Sequence, residues 1–261
     1  MISGVDISNW TAVPSQARLD CWWLAGVRFV IVGTQRQEPA ASQLAALHAD
    51  GRFQVELYFY PYYNPADRER VDRALAFAHQ YGLSRIWDDV EWNDDEGPRP
   101  GPEVVLPALR SRRIHIEAAG IGYGIYSGEP YWKTMAGNTS EFGEVPLWHA
   151  WYFNDGHVPD FSAYRPYGGW SRPLIWQYKG STDLCGLNVD LNAAESAFWE
   201  EADMNADELA KKERLIARIV ATLKREDYQL AERQPDPVTG EPVVEVLSGV
   251  ATDDALLIRI R

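Results

Sequence analysis

The stretch Ile86-Trp87-Asp88-Asp89-Val90-Glu91 decides how this chain is read. It is apolar and aromatic at its start and acidic at its end. In a β-strand alternate side chains share a face, so Asp89 and Glu91 project together while Val90 points the other way. Two carboxyls held side by side repel, and one of them then keeps its proton near neutral pH. The competing reading is a solvated acidic loop, because the run continues as Trp92-Asn93-Asp94-Asp95-Glu96. What surrounds the stretch separates the two.

On either side, residues 1–200 alternate between strand and helix patterns. Ile2–Ile7, Val27–Val32, Gln54–Tyr60, Arg85–Glu91 and Ile121–Ser127 read as strands. Helical patterns cover 15–25, 40–49, 65–81 and 103–119, with Gly51, Gly82 and Gly120 as stops. Beyond 127 the strands Leu147–Tyr152, Leu174–Tyr178 and Leu187–Leu191 are short and aromatic-rich, separated by Gly-, Pro- and Ser-rich loops. Five βα units followed by mostly β structure predict an α/β fold, an irregular TIM-like barrel over 1–202. Residues 203–261 read as a small α+β extension. It has an amphipathic helix over 207–226, with Leu209, Ile216 and Leu223 at heptad spacing, and two short strands, Val243–Val246 and Leu256–Ile260. That helix either packs on the barrel or associates with itself or a partner.

Composition excludes several function classes. A formal charge of −13 argues against binding nucleic acid by phosphate neutralisation. No apolar run reaches the roughly 18 residues of a membrane span. Cys21 and Cys185 are too few for a disulfide scaffold or a zinc site; they read as small buried hydrophobes, and one bridge is permitted but not specified. No metal or cofactor is called for. The first residues, Met1-Ile2-Ser3-Gly4, show no signal peptide.

In a parallel barrel the working residues sit at the carboxyl ends of the strands. Read there, strand one offers Asp6, strand four Asp89 and Glu91, and strand eight Asp190. Any one of them alone is equally a cap or a loop hydrogen bond, and an Asx-turn before Asn9 would explain Asp6. Four acids at strand ends are harder to dismiss, because a strand rarely tolerates an acid without a partner or a job. Tyr58, Tyr60, Tyr126, Trp148, Trp151, Trp176 and Gln177 fall beside them. An aromatic face packs on the C–H face of a sugar while polar groups fix its hydroxyls. A protonated carboxyl next to an ionised one, in an aromatic groove, is equipment for cleaving a glycosidic bond.

The ordered set Gly4-Val5-Asp6-Ile7-Ser8, Trp87-Asp88-Asp89-Val90-Glu91, Tyr123-Gly124-Ile125-Tyr126, Leu147-Trp148-His149-Ala150-Trp151-Tyr152, Trp176-Gln177-Tyr178 and Val189-Asp190-Leu191-Asn192 resembles the Chalaropsis-type lysozymes, glycoside hydrolase family 25. The resemblance covers about residues 1–195. It implies a flattened eight-stranded barrel and hydrolysis of the β-1,4 bond between N-acetylmuramic acid and N-acetylglucosamine in peptidoglycan. It implies Glu91 as general acid, Asp89 as its partner, Asp6 and Asp190 in the same acidic centre, and Tyr126 and Trp176 shaping the site. Where many members carry Tyr-His-Phe after strand three, this chain has Tyr58-Phe59-Tyr60, and residues 202–261 match no wall-binding repeat.

Two rival readings remain open at this stage. A chitinase- or hexosaminidase-like glycosidase would carry further Asp before the pair, where this chain has Arg85 and Trp87. A catalytically silent glycan-binding module of a phage particle would have little reason to crowd carboxyls. A wall hydrolase lacking a signal peptide is expected to be a phage lysin made in the host cytoplasm, or a product exported by another route.

Overall fold

The computed structural model describes residues 1–153 and 155–195, together with the backbone of three later strands. The chain divides into two compact units, Met1–Glu201 and Ala202–Arg261.

In the first unit eight strands close into a barrel in sequence order. β1 (Ile2–Ile7), β2 (Val27–Gly33), β3 (Gln54–Phe59), β4 (Arg85–Asp89) and β5 (Gly122–Ser127) are each followed by a helix. These helices are α1 (Gln16–Leu24), α2 (Gln37–Asp50), α3 (Asp67–Tyr81), α4 (Pro102–Ala118) and α5 (Glu129–Met135). β6 (Leu147–Ala150), β7 (Ile175–Leu184) and β8 (Leu187–Ala194) complete the ring without long helices between them. β1 to β7 pair in parallel, whereas β8 runs antiparallel to both neighbours, β7 and β1. The short helix α5 lies in a stretch that the sequence pattern leaves as loop.

Strand alternation divides the core in two. One set, between strands and helices, is built on residues such as Val5, Val30, Leu57, Ile86 and Val90. The other fills the barrel with Phe29, Ile31, Tyr58, Trp87, Tyr126, Trp148, Ile175 and Ala194. Rings of that size fit because their neighbours on adjacent strands are glycines. A Cβ on Gly4 would lie 2.3 Å from the Phe29 ring, and one on Gly124 2.4 Å from the Trp87 ring. Close packing at this density leaves no slack for either methyl.

Cys21 and Cys185, 164 positions apart, form a disulfide that ties α1 to the β7–β8 turn. This corrects the reading of both as buried hydrophobes. Cys21 is exposed, and only a tertiary contact brings the two together.

In the second unit β9 (Gln229–Arg233), β10 (Val243–Leu247) and β11 (Leu256–Arg259) form an antiparallel sheet in the order β11-β10-β9. The sequence pattern showed the last two and missed the first. The helix expected over 207–226 lies outside the described residues. Among the described residues no helix is long and apolar enough to cross a membrane.

Candidate active site

β4 sets the site by simple alternation. Trp87 and Asp89 face into the barrel, while Ile86, Asp88 and Val90 face the helices. The strand proper ends at Asp89, two residues short of the sequence-based boundary, but its course is held further. The Val90 N–H donates to the Tyr126 carbonyl at 2.8 Å, and the Ser127 hydroxyl donates to the Val90 carbonyl at 2.8 Å. Glu91 therefore leaves the strand on the same side as Asp89, and both line one cleft of about 650 Å³.

The outward neighbour Asp88 has a different fate. Arg112 of α4 grips it with two donors, Nε to Oδ2 at 2.7 Å and Nη2 to Oδ1 at 3.0 Å, and the Tyr123 hydroxyl adds a third at 2.8 Å. A buried acid so fully paired is a structural fastening.

Asp6 and Asp190 reach the same mouth from β1 and β8. Sequence reading placed Asp190 at the carboxyl end of its strand. Because β8 runs the other way, Asp190 reaches the mouth by lying in the first half of β8, where its Cα pairs with that of Asp6. Two side-chain amides manage the resulting repulsion. Gln177 Nε2 and Asn192 Nδ2 donate to Asp6 Oδ2 at 2.8 and 2.7 Å. The amide oxygens are occupied by donors, which fixes their orientation. Tyr126 and Tyr152 hydroxyls donate to Gln177 Oε1 at 2.8 and 2.7 Å, and Trp148 Nε1 donates to Asn192 Oδ1 at 2.8 Å. The Ser181 N–H donates to Asp190 Oδ1 at 2.7 Å.

Burial raises all four carboxyls, and neighbouring acids add to it at Asp6, Asp89 and Glu91. Asp6 rises well above the ordinary value through burial and then Asp190, against the two amide donors. Asp89 rises well above it through burial and then Glu91. Glu91 rises to about 7, chiefly by burial, with the Tyr126 hydroxyl opposing. Asp190 rises through burial, opposed by the Ser181 N–H. In each of the four, the shift favours the protonated form. The hydrogen bonds bias where those protons sit. Asp6 receives two donors, which favour its anion, while Asp89 Oδ1 is buried with no partner.

The candidate aromatics separate into four groups. Tyr58 and Tyr60 line the cleft with the acids. Tyr126 lies beneath it, buried. Trp148 is enclosed in the barrel at 1% exposure and presents no face to a ligand; its work is to pack and to orient Asn192. Trp176 points out through the wall of β7, packed on His149, Phe161 and Tyr164, and its indole N–H donates to the Trp151 carbonyl at 3.0 Å. With Trp151 it lines a second pocket, separate from the acid cleft.

Sequence reading missed several cleft residues. Trp10, on the loop after β1, is 82% exposed at the rim with the Arg36 guanidinium 5.3 Å from its ring. Gln35 and Tyr131 also line the cleft, and Asp94 and Glu96 add acids to its edge. Trp10 and Gln35 lie on loops, where periodicity carries no signal, and Tyr131 lies on the short helix α5.

The chain is similar to known proteins over this same region. The family model described as lysozyme-like protein 1 matches residues 3–178. A probable GH family 25 lysozyme of Dictyostelium discoideum is 29% identical over 205 residues, covering 73% of this chain and 90% of its own length. A lysozyme-like protein of Caenorhabditis elegans is 27% identical over 201 residues, covering 73% and 90%. The muramidase from Trichobolus zukalii shares the fold, with a TM-score of 0.58 at 19% identity over 75% of this chain and 94% of its own. The family match runs from the first barrel strand into the seventh, and the chain accordingly belongs to the lysozyme-like glycoside hydrolases of family 25.

Proposed function

We propose that the protein is a muramidase that hydrolyses the β-1,4 bond between N-acetylmuramic acid and N-acetylglucosamine in peptidoglycan. The observation that carries this reading is the convergence of Asp6, Asp89, Glu91 and Asp190 on one mouth of the barrel, with Asp89 and Glu91 opening into a cleft of sugar-binding size. Its lining of Tyr58, Tyr60, Trp10 and Tyr131 offers faces for pyranose rings.

Glu91 is the proposed general acid. Its pKa of about 7 keeps a proton available at neutral pH, and its place on the cleft wall gives it access to the leaving oxygen. Asp89 is its proposed partner. Its place on the same cleft wall lets its carboxyl orient a substrate acetamido group, as a substrate-assisted course requires. On that course the acetamido oxygen bonds to the anomeric carbon as the glycosidic bond breaks, and the Glu91 proton passes to the departing oxygen. Water then opens the cyclic intermediate and returns a proton to Glu91. Asp6 and Asp190, held in place by Gln177, Asn192 and the Ser181 N–H, complete the acidic centre that faces the sugar.

The Cys21–Cys185 bridge supports a workplace outside a reducing cytoplasm, at the cell wall itself. The test of the reading is mass analysis of products from purified cell walls digested by the wild type and by Glu91→Gln. Muropeptides ending in reducing N-acetylmuramic acid are expected from the wild type only. Undiminished lysis by the variant, or a different bond cut, would overturn it.

A further inference from the structure

After β6 the chain continues as an extended segment docked on β7, with the Trp151 N–H donating to the Gln177 carbonyl and the Phe153 N–H to that of Tyr178, both at 3.1 Å. Its side chains leave on opposite sides. The Tyr152 hydroxyl reaches Gln177 in the acid centre, while Trp151 and Phe153 line a pocket of about 290 Å³ on the far side. Trp176 and His149 wall that pocket, and Glu129 and Arg165 are also in its lining. Helix α5 borders both spaces, with Tyr131 in the acid cleft and Glu129 in this pocket.

We propose that this pocket is a second binding site, taking a carboxylate-bearing peptide substituent of the glycan, with the carboxylate on Arg165 and the apolar part between Trp151 and Phe153. This rests on the muramidase reading and extends it to the part of the polymer that is not sugar.

Charge supplies the first argument. The acid cleft is edged by Asp89, Glu91, Asp94 and Glu96, and it repels a carboxylate. Across the wall, Glu129 is already paired with Lys133 at 2.6 Å, and among the described residues Arg165 has no ion pair or hydrogen bond. An unpaired guanidinium beside aromatic faces, in a chain of net charge −13, is a place where a carboxylate gains a bidentate partner. The second argument is the state of His149. The Tyr167 hydroxyl donates to the Ser127 carbonyl at 3.0 Å, so its oxygen accepts from His149 Nδ1 at 3.0 Å. Nε2 then carries the lone pair, and burial lowers the imidazole to about 4, so the ring stays neutral. A neutral imidazole acceptor in the pocket wall suits an amide N–H, the group a peptide offers and a bare glycan carries only in its acetamido arms.

The test uses the full chain carrying Glu91→Gln, so that binding is read without turnover. N-acetyl-D-alanyl-D-alanine with a free carboxylate, and separately its C-terminal amide, are titrated while tryptophan fluorescence is followed. Saturable binding of the free acid is expected, weakened about tenfold for the amide and about tenfold by Arg165→Gln. In the active enzyme, Arg165→Gln is expected to raise KM about tenfold on intact peptidoglycan, with kcat preserved, and to leave KM unchanged on glycan strands stripped of peptide. Equal affinity for acid and amide, absence of saturable binding, or an equal KM change on both substrates would overturn the proposal. Failure of the wild type to cut either substrate would instead sink the muramidase reading, and the peptide titration would still decide the pocket.

Discussion

Asp6 and Asp190 face each other across the antiparallel seam that closes the barrel, Cα paired with Cα. Like charges directly opposite in a sheet are destabilising. Here they are joined by Asp89 and Glu91, and burial raises all four carboxyls.

This arrangement fixes the sign of the pH dependence. Glu91 must be protonated to donate, so kcat/KM is expected to fall as pH rises through about 7. The same sign holds for stability. A carboxyl whose folded pKa lies above its ordinary value contributes stability fully present below the ordinary value, and that contribution is lost as pH rises through the folded one. Thermal unfolding is therefore expected at a higher temperature near about pH 5 than near about pH 8, and Glu91→Gln should flatten that slope. A Tm that rises through this window would contradict the assignment.

Adjacent residues on β4 make opposite predictions. Asp88 is fully buried and bound twice by Arg112, whose next acid, Asp67, is 3.9 Å away. Asp88→Asn leaves that guanidinium without its counter-charge, at a cost of about 3–5 kcal/mol, and should lower Tm by about 10 °C. Asp89→Asn removes one ionisable carboxyl from a crowded set. Because burial already favours the neutral form of Asp89, the neutral amide should hold Tm while lowering kcat by about 100-fold or more. Paired melting curves and wall-clearing rates for the two variants check both; a melting loss at Asp89 equal to that at Asp88 would assign Asp89 a structural role.

That contrast also marks what the sequence could show. The Asp-x-Glu spacing is legible because a strand has a period of two, which puts Asp89 and Glu91 on one face, and both line the cleft. The same period cannot say which face is which when both are apolar. Trp148 therefore looked like a groove residue and is interior packing, and Trp176 looks outward instead of into the acid cleft. Nor does alternation carry strand direction, so the reversal of β8 was invisible although Asp190 itself was found. Trp10 and Gln35 sit on loops that obey no period, and the seven residues of α5 are too few to show a helical one. The cysteine pair depends on a contact spanning 164 positions, which spacing cannot report.

Gln177 is expected to be a positioning residue of unusual reach. Its amide donates to Asp6 and, at 3.4 Å, to Asp190, and accepts from Tyr126 and Tyr152. Gln177→Leu keeps much of the volume and removes all of these bonds. With its donor gone, Asp6 should hold its proton to higher pH, and the freed tyrosine hydroxyls should loosen the floor under Glu91. A fall in kcat of about 10- to 100-fold is expected, with a shift of the alkaline limb of the pH profile. A variant that loses only KM would place Gln177 in substrate binding alone.

The disulfide is expected to act on the site through the hairpin it holds. Cys185 lies in the turn between β7 and β8, the two strands that carry Gln177, the Ser181 N–H, Asp190 and Asn192. Cross-linking that turn to α1 restrains a long stretch of the unfolded chain, worth about 2–5 kcal/mol. Cys185→Ser is therefore expected to lower Tm by about 5–15 °C. Wild type in excess dithiothreitol should melt as the variant does, and the variant should not respond to reductant. Activity well below the new Tm should fall less than stability, because the Asp6–Asp190 register is also held by the β1–β8 ladder. Wild type and Cys185→Ser melting together under oxidising conditions would show that the bridge does not restrain the unfolded chain.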